Sequence, residues 1–327
     1  MYKKIISFAV VIVSLFVLTI YSMTTGSIAI TVGELLTGLF TGTNENVEII
    51  KDLRLPRVVI ALFAGATLSV SGVLLQAVMR NPLAEPGIIG ISSGAGFMSI
   101  MMITFFPTLF FYTPLFSFIG GAVAFLFVYL FSWKSGLNPL RMILIGVAIN
   151  AVFTGLSELM AARNASSMMS GISVSSSTLT MKTWDDVQVI ALYGTIGLIL
   201  SFLVYAWCNH LSLRDQTLKN LGFRVNRARF IISIIAVLLA SIATAIAGMF
   251  TFVGLLIPHI GRSLVGNDHK LLIPFSAIAG ALLILSADTL GRTLLSPIEI
   301  PASIIMAVIG GPFLIFLLRK SDRIYGN

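Results

Sequence analysis

The chain has 327 residues, of which 57% are hydrophobic and only 10% charged, against about 25% charged in ordinary soluble domains. That ratio cannot cover a water-facing surface, so it excludes a cytosolic enzyme, a disordered tail and a secreted disulfide scaffold and indicates a polytopic membrane protein. The net charge of +8 does not argue for nucleic acid, because the basic residues punctuate apolar runs instead of clustering on a soluble face. One cysteine, Cys208, allows neither an intrachain disulfide nor a multi-cysteine metal site.

In chain order, ten apolar runs approach the roughly 20 residues needed to cross a bilayer. They cover about 5–24, 58–79, 88–106, 113–131, 140–161, 187–207, 230–248, 250–265, 271–289 and 302–318. The first follows Lys3 and Lys4 like a signal-peptide core, but no small-x-small site comes closely after it, so it is expected to be a retained helix. An outer connection, 25–57, ends in Leu53-Arg-Leu-Pro-Arg57. Pro56 suits a first helical turn, which would place Arg54 and Arg57 on one side of a helix start. Positive charge there opposes the macrodipole, and outer arginines run against the topological bias. Two uses account for them: pairing with carboxylates of an external partner, or snorkelling to lipid phosphate.

The second run carries Gly65, Ser69, Gly72 and Gln76, spaced four, three and four and so on one helix face, as expected for close helix packing. Segment 79–96 holds two prolines and four glycines, which predicts an inner turn and then a helix entry. The fifth run carries Gly146, Asn150, Thr154 and Ser157 beside Glu158, and the tenth carries Ser303, Ala307, Gly310 and Gly311 before Pro312. Polar stripes are costly against lipid and so face protein or water; these two are expected to line a path. The outer connection 162–186 is rich in Ser and Met, including Met168, Met169 and Met181. The inner segment 208–229 predicts a short amphipathic helix. Asp215 would cap it, Gly222 would end it, and Leu218 and Leu221 would share a face for anionic lipid or a cytoplasmic subunit. The eighth run is short and holds Pro258, His259 and Arg262.

With the N-terminus inside, fifteen of the 21 Lys and Arg fall on the inner side and six outside, the asymmetry that sets orientation. The expected architecture is all-α: one transmembrane domain over 1–327, about ten transmembrane helices and both termini cytoplasmic. None of the lysines follows a glycine, so there is no P-loop; if transport uses ATP, the ATPase is a separate subunit. His210, His259 and His269 lack metal-ligand spacing, and no metal or cofactor site is expected.

Several segments together resemble one family. They are Leu53–Arg57, Arg80-Asn-Pro-Leu-Ala-Glu-Pro-Gly87, Arg141-Met-Ile-Leu-Ile-Gly-Val-Ala148, Leu218–Gly222, Phe252-Val-Gly-Leu-Leu-Ile-Pro-His259, Ala287-Asp-Thr-Leu-Gly-Arg292, and Glu299-Ile-Pro301 followed by Gly310-Gly-Pro-Phe313. In that order they resemble the permeases of binding-protein-dependent ABC importers for iron chelates, haem and vitamin B12. Asp215 departs from the Gly-Glu often found before the coupling helix. Leu179-Thr-Met-Lys-Thr-Trp184 and the general texture are similar to Gram-positive haem permeases.

The resemblance implies a dimer of permease subunits, homomeric or heteromeric, in the bacterial cytoplasmic membrane. It also implies two cytoplasmic ATPase subunits and an extracellular solute-binding lipoprotein. Arg54, Arg57 and Arg292 would dock that lipoprotein. Leu218, Lys219, Leu221 and Gly222 would form the coupling helix, and Asn150, Thr154, Ser157, Ser303, Ala307 and Gly310 would line the path. The expected cargo is haem or a ferric siderophore, with vitamin B12 or another metal chelate as alternatives. An ion-coupled secondary transporter would need a mid-membrane relay, and Asp288 and Glu158 both fall near run ends. An integral membrane enzyme would need catalytic groups clustered at one depth.

Overall fold

The computed structural model describes residues 2–25, 30–41, 45–133, 139–165, 179–296 and 298–325. Among them the chain is wholly helical. In order the helices are α1 (Tyr2–Thr24), α2 (Val32–Thr41), α3 (Glu45–Met79), α4 (Ile91–Phe105), α5 (Thr113–Trp133), α6 (Pro139–Ala165), α7 (Trp184–Leu203), α8 (Tyr205–His210), α9 (Asp215–Asn220), α10 (Val225–Ala247), α11 (Val253–Val265), α12 (His269–Thr293) and α13 (Ala302–Tyr325), with a 3-10 turn, Pro107–Tyr112, before α5. Seven helices are long and apolar enough to span a membrane: α1, α3, α5, α6, α7, α10 and α12. Three shorter apolar stretches, Ile91–Phe105, Val253–Val265 and Ala302–Phe316, complete a set that coincides with the ten apolar runs of the sequence.

The connection 25–57 is more structured than expected. It contains α2, and α3 starts at Glu45, so Pro56 lies inside that helix and not at its first turn. A proline there removes one rung of the hydrogen-bond ladder, at the Asp52 carbonyl. Arg54 and Arg57 therefore lie in the third and fourth turns of α3, clear of its positive end, and the expected conflict with the macrodipole does not arise.

α3 is the centre of the bundle. Ile60, Ala61, Ala64, Val70, Val73, Leu74 and Leu75 on it are fully buried. Its small-residue face lets α12 and α11 approach to backbone contact. A Cβ on Gly65 would overlap the Gly280 carbonyl, and one on Gly72 would overlap the Gly254 carbonyl. Hydrogen bonds stitch the same seam: Ser69 Oγ donates to the Ser276 carbonyl (2.6 Å) and Gln76 Nε2 to the Gly254 carbonyl (3.0 Å). α1 and α6, in contrast, lie at the rim with mostly exposed apolar side chains.

Two non-helical segments, 81–90 and 248–252, are largely buried in the bundle, where backbone polar groups need protein partners. Glu85 supplies one: its buried Oε1 accepts the Phe252 N–H at 3.0 Å. Phe252 there takes a left-handed conformation (φ 69°) just ahead of α11.

The bundle has two distinguishable ends. Ser22, Met23, Arg54, Arg57 and Arg292 meet at one. Lys3, Arg80, Asn209, Asp215, Ser263 and Asp268 lie at the other. α1 starts at the second end, and α13, starting three residues after Glu299, runs towards it over about 36 Å at 1.5 Å per residue.

Candidate docking and coupling sites

At the first end, α3 and α12 each present charge to the other. Arg57 Nε donates to both carboxylate oxygens of Asp288 (3.0 and 3.1 Å) and Nη2 donates to Oδ1 at 2.8 Å. Its Nη1 donates to Glu299 Oε2 at 2.9 Å. Asp288 is 2% exposed, and its other oxygen lies 3.5 Å from Arg292 Nε one helical turn on. Arg292 is itself buried and ties α12 to the end of α1: Nη2 donates to the Ser22 carbonyl (3.0 Å) and Ser22 Oγ (2.6 Å). Arg54, half-buried, donates to the Met23 carbonyl at 3.0 Å.

So Arg57 and Arg292 converge on carboxylates of their own chain, while Arg54 bonds the Met23 carbonyl beside them. Asp288 and Glu299 lie 231 and 242 residues from Arg57, a separation no local pattern can signal. The one sequence clue was the i, i+4 pairing of Asp288 with Arg292.

Glu299 is the exposed member of the set. Its side chain is 43% accessible, against 11% for Arg57. Burial acts to raise its carboxyl, but the hydrogen bond and charge of Arg57, with a 3.2 Å bond from Thr180 Oγ1, outweigh that and hold it below the ordinary glutamate value. Beside it, Met181 is 92% exposed. Met168 and Met169 lie outside the described residues.

At the second end, α9 is locked by its surroundings. Asp215 is the first residue of α9 and not its cap; Arg214 occupies the cap position without a side-chain bond. The Asp215 carboxylate instead takes a two-pronged bond from Arg229 of α10 (3.0 and 3.1 Å) and an ion pair with Arg80 at 2.7 Å. Arg80 Nε also donates to the Leu211 carbonyl, so α9 is pinned to the end of α3.

The C-terminus of α9 is a Schellman motif. The Phe223 N–H bonds the Leu218 carbonyl (2.9 Å), the Gly222 N–H bonds the Lys219 carbonyl (3.0 Å), and Gly222 is left-handed (φ 74°). Leu218 and Leu221 do not share a face as expected. Leu218 is buried (1%), whereas Leu221, at the cap where the chain leaves the helix, is 71% exposed beside exposed Lys219. Cys208, in α8, is buried, and burial pushes its thiol up to about 12.

The stripe residues divide. On α6, Gly146 is buried against the Ile88 carbonyl. Asn150 and Thr154 are half-buried, and Ser157 is buried with its hydroxyl bonded to the Phe153 carbonyl (2.8 Å). On α13, Ser303 is half-buried and Ala307 exposed, while Gly310 is buried under the Phe252 ring, which leaves no room for a Cβ. The segment 81–90 thus packs on α6 through Ile88, and the segment 248–252 on α13 through Phe252. No group of three or more His, Cys, Asp or Glu that could hold a metal ion exists among the described residues.

The profile of the FecCD transport family matches residues 14–320. The chain belongs to the FecCD transport family. It is 44% identical over 321 residues, 98% of both chains, to a Staphylococcus aureus protein described as "probable heme-iron transport system permease protein IsdF"; the version from a bovine strain of that species is 43% identical over the same span. Among solved structures it is similar to a metal-chelate type ABC transporter in an inward-facing conformation, with a TM-score of 0.78, 28% identity and coverage of 96% of this chain and 99% of that one. PsaBC from Streptococcus pneumoniae shares the fold at a TM-score of 0.58 and 13% identity, over 88% of this chain. With family membership and its apolar helices, the protein is a multi-pass membrane permease and a transport component.

Proposed function

We propose that this FecCD member is the permease subunit of an ATP-binding-cassette importer that moves an iron compound, haem in the first instance, across the bacterial cytoplasmic membrane. The observation that carries the reading is the end-to-end 44% identity to a protein described as a haem-iron permease. In this reading the chain crosses ten times, with α9 and both termini in the cytoplasm and the arginine end outside. Two permease subunits pair and stand on two ATPase subunits. Arg54, Arg57 and Arg292 form the surface on which a solute-binding lipoprotein docks through its own carboxylates. α9, with Leu218, Lys219, Leu221 and Gly222, transmits closure of the ATPases. Asn150, Thr154, Ser157, Ser303, Ala307 and Gly310 border the path.

No covalent step falls to this chain. A large planar cargo suits a weakly binding path between subunits, where each strong ligand would slow release. The test is growth rescue under iron starvation, with haem and ferric siderophores in competition, in cells that depend on this permease. Rescue by haem supports the assignment; rescue by siderophores alone overturns the haem cargo. Charge reversal at Arg54 and Arg57 is expected to weaken docking of the lipoprotein while insertion is kept, and unchanged docking at low salt would remove the interface role.

A further inference from the structure

The inference rests on the docking reading and concerns what occupies the arginines before a partner arrives. Arg57 is shared between two carboxylates of different character. Asp288 is buried on α12, makes three of the four bonds, and also faces Arg292. Glu299 makes one bond, is 43% exposed, and sits on the connection that leads in three residues to α13. That connection carries Glu299 beside Ile300, whose carbonyl packs against Gly291 of α12. The Ile300 N–H bonds the Gly291 carbonyl (2.9 Å) and Thr180 Oγ1 bonds Glu299 (3.2 Å), while Leu294, Leu295 and Ile298 project outward at 59–69% exposure. An incoming acidic group reaches Arg57 from the side on which Glu299 is exposed. Asp288, enclosed by two arginines, is not displaceable without leaving buried cations unpaired.

We propose that Glu299 is a built-in stand-in for the partner's carboxylate: it holds Arg57 Nη1 in the undocked permease, and an acidic group of the docking protein displaces it, releasing the connection into α13. Asp288 is then the positioning residue that keeps Arg57 aimed, and Glu299 the exchangeable ligand. The exchange is one ion pair for another, so it costs little in net charge. It also gives the docking surface a mechanical link to a helix that borders the proposed path.

The experiment uses the full-length permease in nanodiscs and two probes: the solute-binding lipoprotein that reconstitutes uptake with it, and poly-L-glutamate as a partner-independent acidic probe. Glu299→Gln keeps the shape of the side chain and removes the competing charge. It is expected to tighten binding of both probes by about two- to fivefold, the size of a partly exposed ion pair. In the wild type, amide exchange across 298–304, which contains the Ile300 N–H, is expected to speed up when the lipoprotein docks; in Glu299→Gln it is expected to be fast before docking. Unchanged or weaker binding by Glu299→Gln, or exchange indifferent to both docking and substitution, overturns the proposal. Arg54→Glu, at the half-buried docking arginine that bonds the Met23 carbonyl and not Asp288, separates the two levels. If it weakens docking while Glu299→Gln leaves docking unchanged, the stand-in is wrong and the docking surface stands. If Arg54→Glu leaves docking unchanged, the docking reading fails and the stand-in falls with it.

Discussion

The two ends of this molecule arrange their charged and apolar side chains in opposite ways. At the arginine end the charges are drawn inward: Arg57 and Arg292 are largely buried and satisfied by Asp288, Glu299 and Ser22. At the α9 end the anchoring charges, Asp215, Arg229 and Arg80, lie behind the helix, and what stands out is Leu221 at 71% exposure with Lys219 beside it. Under the proposed function, the first arrangement would recognise a partner by exchange of ion pairs, the second by insertion of an apolar knob carried on a fixed backbone. Recognition by charge exchange responds to salt; apolar insertion hardly does.

The sharpest way to break the contrast is to remove its buried member. Asp288→Ala leaves Arg57 and Arg292 facing each other without their shared carboxylate, and loss of one partner of a buried pair costs about 3–5 kcal/mol. A large fall in the melting temperature of the detergent-solubilised protein is expected, against little change for Glu299→Gln. Equal melting temperatures for the two variants would show that Asp288 is no more structural than Glu299. Next in size is Gly222→Val, which forces a β-branched residue into a left-handed conformation at a cost of roughly 1–2 kcal/mol with open space around it. The expected result is ATP hydrolysis that no longer drives uptake; normal coupling would remove α9 from the transmission role. The smallest effect is a difference of slopes. Raising salt from about 0.05 to 0.5 M shortens the screening length severalfold. It is expected to weaken lipoprotein docking and leave ATPase-subunit binding nearly unchanged, whereas Leu221→Ala weakens only the latter. Parallel salt slopes at both ends would erase the distinction.

How much of this was legible in the sequence follows from the range of the forces involved. The ten apolar helices were, because each is set by a local run of residues matched to a bilayer. So was the α3 seam of Gly65, Ser69, Gly72 and Gln76, since helical periodicity alone puts them on one face. The start of α3 was not: Pro56 suits a first turn, but α3 begins at Glu45 and carries the proline in its interior. The split of Leu218 from Leu221 escaped for a related reason. Positions three apart share a face only while the helix continues, and Leu221 sits where the Schellman turn redirects the chain. At the candidate site Arg54 and Arg57 were visible as charges out of place and Arg292 only through the family resemblance, and the carboxylate partners of Arg57 were hidden by more than two hundred residues of intervening chain.

Cys208 carries a practical consequence. It is the only thiol in the sequence, it is buried, and its thiol is pushed up to about 12, so at neutral pH almost none of it is the thiolate that reacts with alkylating dyes. The native protein is therefore its own blank for maleimide chemistry. A cysteine placed at Met181 or at Leu221, both exposed, would take a fluorophore while Cys208 stays in place, and the two ends of the bundle could be watched in turn within an otherwise unaltered polypeptide.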